Sequence, residues 1–292
     1  MTRARRLLTA TLAVAALLGA ISFASAASLP LTGPILTAAT VLHPCPGTAT
    51  VTNTDVGLSL GTVQVTLPAN CASATTTRKV QVKLIDAAAH EYTSAAVTMS
   101  AQSQTVAVTP GYTAPGAMIA RVTADGWDVP ATWSYTVQER RLQLHDPFQD
   151  YYLRHRGVRT DTPACSTYVS NGGVCLEAIA DLNTVFRVVE GLASPGTTGL
   201  VSFESVNNPG YYLRRQNDVV YLLTAPTNAT DRGAATFEMT PGLWDAAPPW
   251  LSFKAYGVTN RYLRHCNYQF RTDAQENGDV YKKDATIRFV TP

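Results

Sequence analysis

Tyr212-Leu213-Arg214 is the middle of three Tyr-Leu-Arg segments; the others are Tyr152-Leu153-Arg154 and Tyr262-Leu263-Arg264. Each is closed downstream by a threonine and an apolar residue, in Thr184-Val185-Phe186, Thr236-Phe237 and Thr286-Ile287. The closing residues recur at a period of about 50. Tyrosine and closing residue are 25 positions apart in the second and third copies and 34 in the first. A strand points successive side chains to opposite faces, so each Leu faces away from its Tyr and Arg. Leu153, Leu213 and Leu263, with Phe186, Phe237 and Ile287, are therefore the expected core. One repeat cannot bury such a face, whereas three around an axis can, with few free edges. The repeat predicts a β-trefoil of three ~50-residue units over 142–292. Gly191-Leu192 and Gly242-Leu243 follow the first two closing strands and read as the hinges between units.

The first 26 residues read as a secretory signal. Arg3, Arg5 and Arg6 precede an apolar run from Leu7 to Phe23, which ends at Ala24-Ser25-Ala26. No later apolar stretch is long enough to span a membrane. Of 23 basic residues three lie in this segment, leaving 20 against 21 acids. That balance gives no reason to expect a nucleic acid or a membrane as partner.

In a secreted chain the five cysteines are disulfide candidates. Cys165 and Cys175 bracket the extra residues of the first repeat, with Asn171-Gly172 as a turn signal, and are expected to bridge the tip of an inserted hairpin. Cys45 is expected to pair with Cys71, the one other cysteine in the N-terminal half. Cys266 is left over and reads as a small buried side chain.

Residues 27–141 differ in composition from residues 142–292. They hold six acids (Asp55, Asp86, Glu91, Asp125, Asp128 and Glu139) and several runs of period two: Thr62–Leu67, Val80–Leu84, Val97–Met99, Thr105–Val108 and Met118–Val122. Turn signals separate them, among them Pro110-Gly111 and Asp125-Gly126. The pattern predicts an all-β chain whose N-terminal part is a small β-sandwich, the immunoglobulin type being one such arrangement.

The second copy runs Ser-Phe-Glu-Ser-Val-Asn-Asn-Pro-Gly-Tyr-Tyr-Leu-Arg-Arg from Ser202, and the third ends in Tyr262-Leu263-Arg264-His265 and Asp284-Ala285-Thr286-Ile287. Residues 142–292 thereby resemble the arabinose-binding domain of α-L-arabinofuranosidase B, the family-42 carbohydrate-binding module. Its repeat is an SFES-x-N-x-P-G-x-YLRH segment followed by DATF. The resemblance implies a three-lobed β-trefoil in which the His closing YLRH and the Asp opening DATF hydrogen-bond one arabinofuranose per lobe. The chemistry suits a furanose, since a carboxylate accepts hydroxyl protons and a neutral imidazole both donates and accepts. The third lobe keeps both residues, His265 and Asp284. The first keeps His155 but has Asn183 at the Asp position, with Asp181 two residues earlier as a substitute ligand-binding acid. The second has Arg215 for the His and Ala234 for the Asp, with Asp231 three residues earlier as its candidate ligand-binding acid. The repeated Arg154, Arg214 and Arg264 are expected to pair across their lobes.

Trp127, Trp133, Trp244 and Trp250 are either sugar platforms or packing residues. Asn228-Ala229-Thr230 matches a glycosylation sequon. The same family association raises arabinofuranosidase activity as an alternative, and a trefoil lectin or inhibitor with a protein partner is a third reading. The six acids of 27–141 show no arrangement that singles out a catalytic pair. The sequence therefore predicts a secreted, monomeric, non-catalytic protein that binds arabinofuranosyl polysaccharide, with no cofactor and no metal.

Overall fold

The protein is described from a computed structural model covering residue 43 and residues 45–69, 71–73, 75–156 and 173–292. The expected signal segment, Cys165 and the Asn171-Gly172 turn lie outside the described residues. The described chain is all-β and forms one compact unit.

The first nine strands are β1 (Ala49–Asn53), β2 (Gly57–Thr66), β3 (Arg78–Asp86), β4 (Glu91–Thr93), β5 (Val97–Met99), β6 (Ser103–Ala114), β7 (Met118–Ala124), β8 (Trp127–Val129) and β9 (Ala131–Ser134). They are hydrogen-bonded in the order β8-β7-β3-β4-β6-β2-β1-β9, with β5 beside β3. Alternate residues of β1, β2, β3, β6 and β7 bury into one core, among them Val51, Val63, Val82, Val106 and Val122. The period-two runs thus mark real strands. The Cys45–Cys71 disulfide closes one side of this core, as expected. Asp125-Gly126 makes the two-residue turn between β7 and β8, with φ of 52° and 83°.

Pro110-Gly111 is not a turn. It lies inside β6, opposite a bulged stretch of β2 where the pairing shifts on both sides of Leu60. The two backbones approach so closely there that a Cβ on Gly111 would sit 2.5 Å from the Ser59 carbonyl oxygen. Glycine serves the bulge, and proline is tolerated where ladder bonding is interrupted.

The second sheet starts with β10 (Gln138–Leu144), which runs across the 141/142 junction. Then come β11 (Tyr152–Arg154), β12 (Cys175–Glu177), β13 (Val185–Glu190), β14 (Leu200–Ser205), β15 (Tyr211–Gln216), β16 (Val219–Thr224), β17 (Phe237–Pro241), β18 (Trp250–Ala255), β19 (Arg261–Cys266), β20 (Gln269–Ala274) and β21 (Ile287–Val290). Strands β10, β13, β14, β17, β18 and β21 pair in succession, and β21 returns to β10, which closes a ring of six. The hairpins β11–β12, β15–β16 and β19–β20 meet one another through β20. Each hairpin's first strand carries one Tyr-Leu-Arg segment. Leu153, Leu213, Leu263, Phe186, Phe237 and Ile287 are all fully buried in the core inside. Cys266 is free and half-buried, not fully buried, because it ends β19 beside an exposed hairpin tip.

Two six-residue helices, α1 (Ala229–Ala234) and α2 (Asp279–Asp284), precede β17 and β21. A 3-10 turn over Leu182–Thr184 takes the same place before β13. These three short elements hold the residues of interest.

Candidate functional site

The buried threonine after each helical turn fixes its lobe. Thr184 Oγ1 donates to Asp181 O (2.6 Å), Thr236 Oγ1 to Arg232 O (2.8 Å) and Thr286 Oγ1 to Lys282 O (2.7 Å). Thr236 and Thr286 also accept the backbone N–H of Ala193 and Trp244, at 3.0 Å each, and so tie the Gly-Leu hinges down. Anchored this way, the end of each helical turn faces the end of its Tyr-Leu-Arg strand.

In the third lobe the strand delivers His265 and the helix ends on Asp284, with side chains 8% and 9% exposed. Asp284 Oδ1 lies 2.8 Å from His265 Nε2, and its Oδ2 lies 3.3 Å from Arg264 Nη1. Arg264 also reaches Asp273 at 2.9 Å and lies over the Tyr281 ring at 4.9 Å. The His265–Asp284 approach is short but out of line for a hydrogen bond, and neither ring nitrogen has a hydrogen-bond partner among the described residues. A buried polar group left unsatisfied costs about 1–3 kcal/mol, so this imidazole calls for a partner. The Phe148 ring meets His265 edge-on at 4.8 Å, and Tyr268, 46% exposed, stands 6.3 Å from Phe148. The result is a polar pair beside two aromatic rings.

The first lobe brings together the same positions with different bonding. His155 is buried, and its Nε2 lies 3.0 Å from both Asn207 Oδ1 and Ser205 Oγ. Asn207 Nδ2 donates to Asn183 Oδ1 (2.7 Å), and Asn183 Nδ2 to Asp181 (3.1 Å). Burial holds His155 below its ordinary pKa, against the opposing pull of Asn207. Asp181 does not take Asn183's place beside the imidazole. Its carboxylate is claimed by Arg154 at 2.7 Å, which also reaches Glu177 at 3.1 Å, and the Arg154 bond lowers the Asp181 pKa.

The second lobe lacks the pair. Asp231 meets Arg214 at 3.1 Å and takes part in the Asn228 cap of α1, and Ala234 ends that helix. The three repeated arginines thus pair across their lobes with Asp181, Asp231 and Asp284, as the sequence predicts. The sequon Asn228 is exposed, with its side-chain oxygen occupied as the helix cap.

Two groups of site residues escaped the sequence reading. Ser205 and Asn207 come from the repeat after the one whose histidine they touch, although the SFES-x-N segment contains both. Phe148 and Tyr268 carry no motif. Of the tryptophans, Trp250 is stacked by Arg288 (4.9 Å) and packed on His145 (4.5 Å), and Trp244 by Lys283 (4.7 Å). Trp133 packs against Tyr112 at the first core. Trp127 is 42% exposed.

A family model described as the alpha-L-arabinofuranosidase B (ABFB) domain matches residues 145–290. No curated protein matches the chain. Among solved structures, an arabinofuranosidase complexed with arabinofuranosyl-α-1,2-xylobiose aligns at 16% identity and a TM-score of 0.42, over 66% of this chain and 41% of that one. A GH54 α-L-arabinofuranosidase soaked with a cyclic sulfate inhibitor aligns at 17% identity and 0.41, with the same coverage. An apo crystal form of a BEL β-trefoil aligns at 16% and 0.37, over 52% of this chain and 90% of that one. The chain thus spans less than half the length of the enzymes it resembles. The family match takes in the three hairpins and all but the first strand of the closed ring, half of the sequence, and by it the chain belongs to the alpha-L-arabinofuranosidase B (ABFB) domain family.

Proposed function

We propose that this is a secreted carbohydrate-binding protein whose C-terminal β-trefoil holds non-reducing arabinofuranosyl groups, with the third lobe as the principal pocket. The reading is carried by the His265–Asp284 pair: two nearly buried polar side chains, of which the imidazole has ring nitrogens without a hydrogen-bond partner among the described residues that a sugar's hydroxyls could supply. Asp284 would accept hydroxyl protons, His265 would donate and accept, and Phe148 or Tyr268 would cover the sugar's apolar edge. The first lobe, through His155 and Asn183, is a weaker pocket, because a sugar must displace bonds already made there. Asp181 and Asp231 shape their lobes by holding Arg154 and Arg214.

The N-terminal strands form a sandwich, and the protein acts as a monomer without catalysis. Support for the absence of catalysis comes from five of the six acids of that half: Asp55 pairs with Arg140, Glu91 with Lys83, Asp125 with Arg78 and Glu139 with Arg187, while Asp86 accepts the Ala88 and His90 amides. The Cys45–Cys71 disulfide fits an oxidising, extracellular setting. The test is co-sedimentation with insoluble arabinoxylan before and after enzymatic removal of its arabinose. Binding lost with the arabinose is the expected result; binding that survives its removal contradicts the reading.

A further inference from the structure

The second lobe differs from the first or the third at four positions around the site. Arg215 is the fifth residue of β15 and pairs with Val220, as His265 is the fifth of β19 and pairs with Phe270. Ala234 ends α1 where Asp284 ends α2. Ala255 ends β18 where Ser205 ends β14, and Gly257 lies two residues on, where Asn207 lies in the first lobe. The imidazole has become a guanidinium, and three polar side chains have become two methyl groups and a hydrogen.

Arg215 is poorly satisfied in that space. Its Nη2 donates to Tyr256 O at 3.3 Å, and its Nε is buried with no hydrogen-bond partner among the described residues. The charges around it are already matched: Arg261 with Asp218 (2.8 Å), Arg214 with Asp231 (3.1 Å) and Lys254 with Glu238 (3.5 Å). No carboxylate stands where Asp284 stands in the third lobe. An open depression of about 340 Å³, lined by Lys254, Tyr256 and Gly257 and also by Glu238, whose carboxylate pairs with Lys254, begins at Tyr256; Arg215 stands beside it through its bond to Tyr256 O and is not part of its lining. Burial lowers the Arg215 pKa, with the nearby Asp218 carboxylate opposing the shift and Arg261 adding to it.

We propose that the second lobe binds an anionic sugar, a uronic acid unit whose carboxylate pairs with Arg215, and is not a third arabinofuranosyl pocket. The inference rests on reading the lobes as sugar sites. The half-exposed guanidinium keeps its Nη1 side, which makes no hydrogen bond among the described residues, for the planar fork that a carboxylate meets with two parallel hydrogen bonds. Gly257, with nothing within 4 Å of its Cβ position, leaves room for the ring that carries it. A neutral furanose would find neither the carboxylate acceptor nor the imidazole there.

The test is an NMR titration of the full secreted chain that follows the backbone amide resonances of Tyr256 and Gly257, which the wild type and both variants share. The probes are methyl β-D-glucuronide, its neutral counterpart methyl β-D-glucoside, and sodium sulfate; an arabinofuranosyl oligosaccharide is titrated separately. Saturable binding of the glucuronide and not of the glucoside is expected. Arg215→Gln should weaken it about tenfold or more. Ala234→Asp, which restores the third-lobe acid and neutralises the guanidinium while leaving it in place, should weaken it as well. Both variants should keep arabinofuranosyl binding, which also shows that they fold. The proposal is overturned if the glucuronide does not bind saturably, if the glucoside or sulfate binds as well as the glucuronide, or if both variants bind it like wild type. Absence of arabinofuranosyl binding in the wild type, with glucuronide binding intact, counts against the third-lobe pocket alone.

Discussion

His155 and Asp181 share a lobe, and their protonation pulls on stability in separate pH ranges. Burial keeps the His155 pKa below its ordinary value of 6.5, so the unfolded chain takes up this proton more readily than the folded one. Stability is therefore expected to fall as pH drops below about 6.5. Arg154 holds Asp181 below its ordinary 3.8, so that contribution is present at neutral pH and is lost only as pH falls below about 4. Thermal melts across pH 4–8 check the first range, and His155→Asn should flatten it. The partly exposed Arg214–Asp231 pair behaves differently. Asp231→Ala should cost no more than about 1 kcal/mol in melts and leave arabinofuranosyl affinity within about twofold, inside the margin for contacts outside a site. At this scale the sequence shows that the repeated arginines need partners, since a charge recurring behind a buried Leu must be matched. It does not show that Asp181 prefers Arg154 to the imidazole. That choice depends on the turn of a three-residue 3-10 segment, which carries no periodic signal.

The Gly-Leu hinges are where backbone and side chains come closest. A Cβ on Gly191 would sit 2.6 Å from Leu200 Cβ and 2.8 Å from Thr236 Cγ2, and one on Gly242 would strike the Asp245 carbonyl. Gly242→Ala should destabilise by roughly 1–3 kcal/mol, the usual cost of overpacking. Gly61→Ala, where nothing lies within 4 Å, should stay within about 0.5 kcal/mol. Urea titration of the pair measures both, and equal effects would mean that the hinges are not tight. The strands themselves were legible, because alternation of apolar and polar residues is a direct imprint of a half-buried sheet. Leu213 and Phe237 could be assigned to the core on that ground alone. The bulge at Ser59 and Gly111 was not legible, because Pro-Gly signals a turn and a bulge in the same letters, and only the partner strand decides between them.

For the molecule as a whole, the Cys45–Cys71 link closes a loop of 26 residues. In the chain-entropy picture its removal costs about 3 kcal/mol, so the paired Cys45→Ala, Cys71→Ala variant should melt several degrees lower. Catalysis is not expected: the purified protein should release no aryl alcohol from an aryl arabinofuranoside, and steady turnover abolished by changing one of its acids would show otherwise. The recurrence of the Tyr-Leu-Arg strands could be read from a period, but the bonding around His155 could not, because Ser205 and Asn207 reach His155 across the boundary between repeats. The central claim is that His265 and Asp284 hold an arabinofuranosyl group. Calorimetric titration of wild type and Asp284→Ala with an arabinofuranosyl oligosaccharide tests it directly. Loss of a charged acceptor, about 1.5–3 kcal/mol, predicts a ten- to hundredfold weaker third-lobe site with unchanged folding. An Asp284→Ala protein that folds and binds like wild type, or a wild type that does not bind, contradicts it.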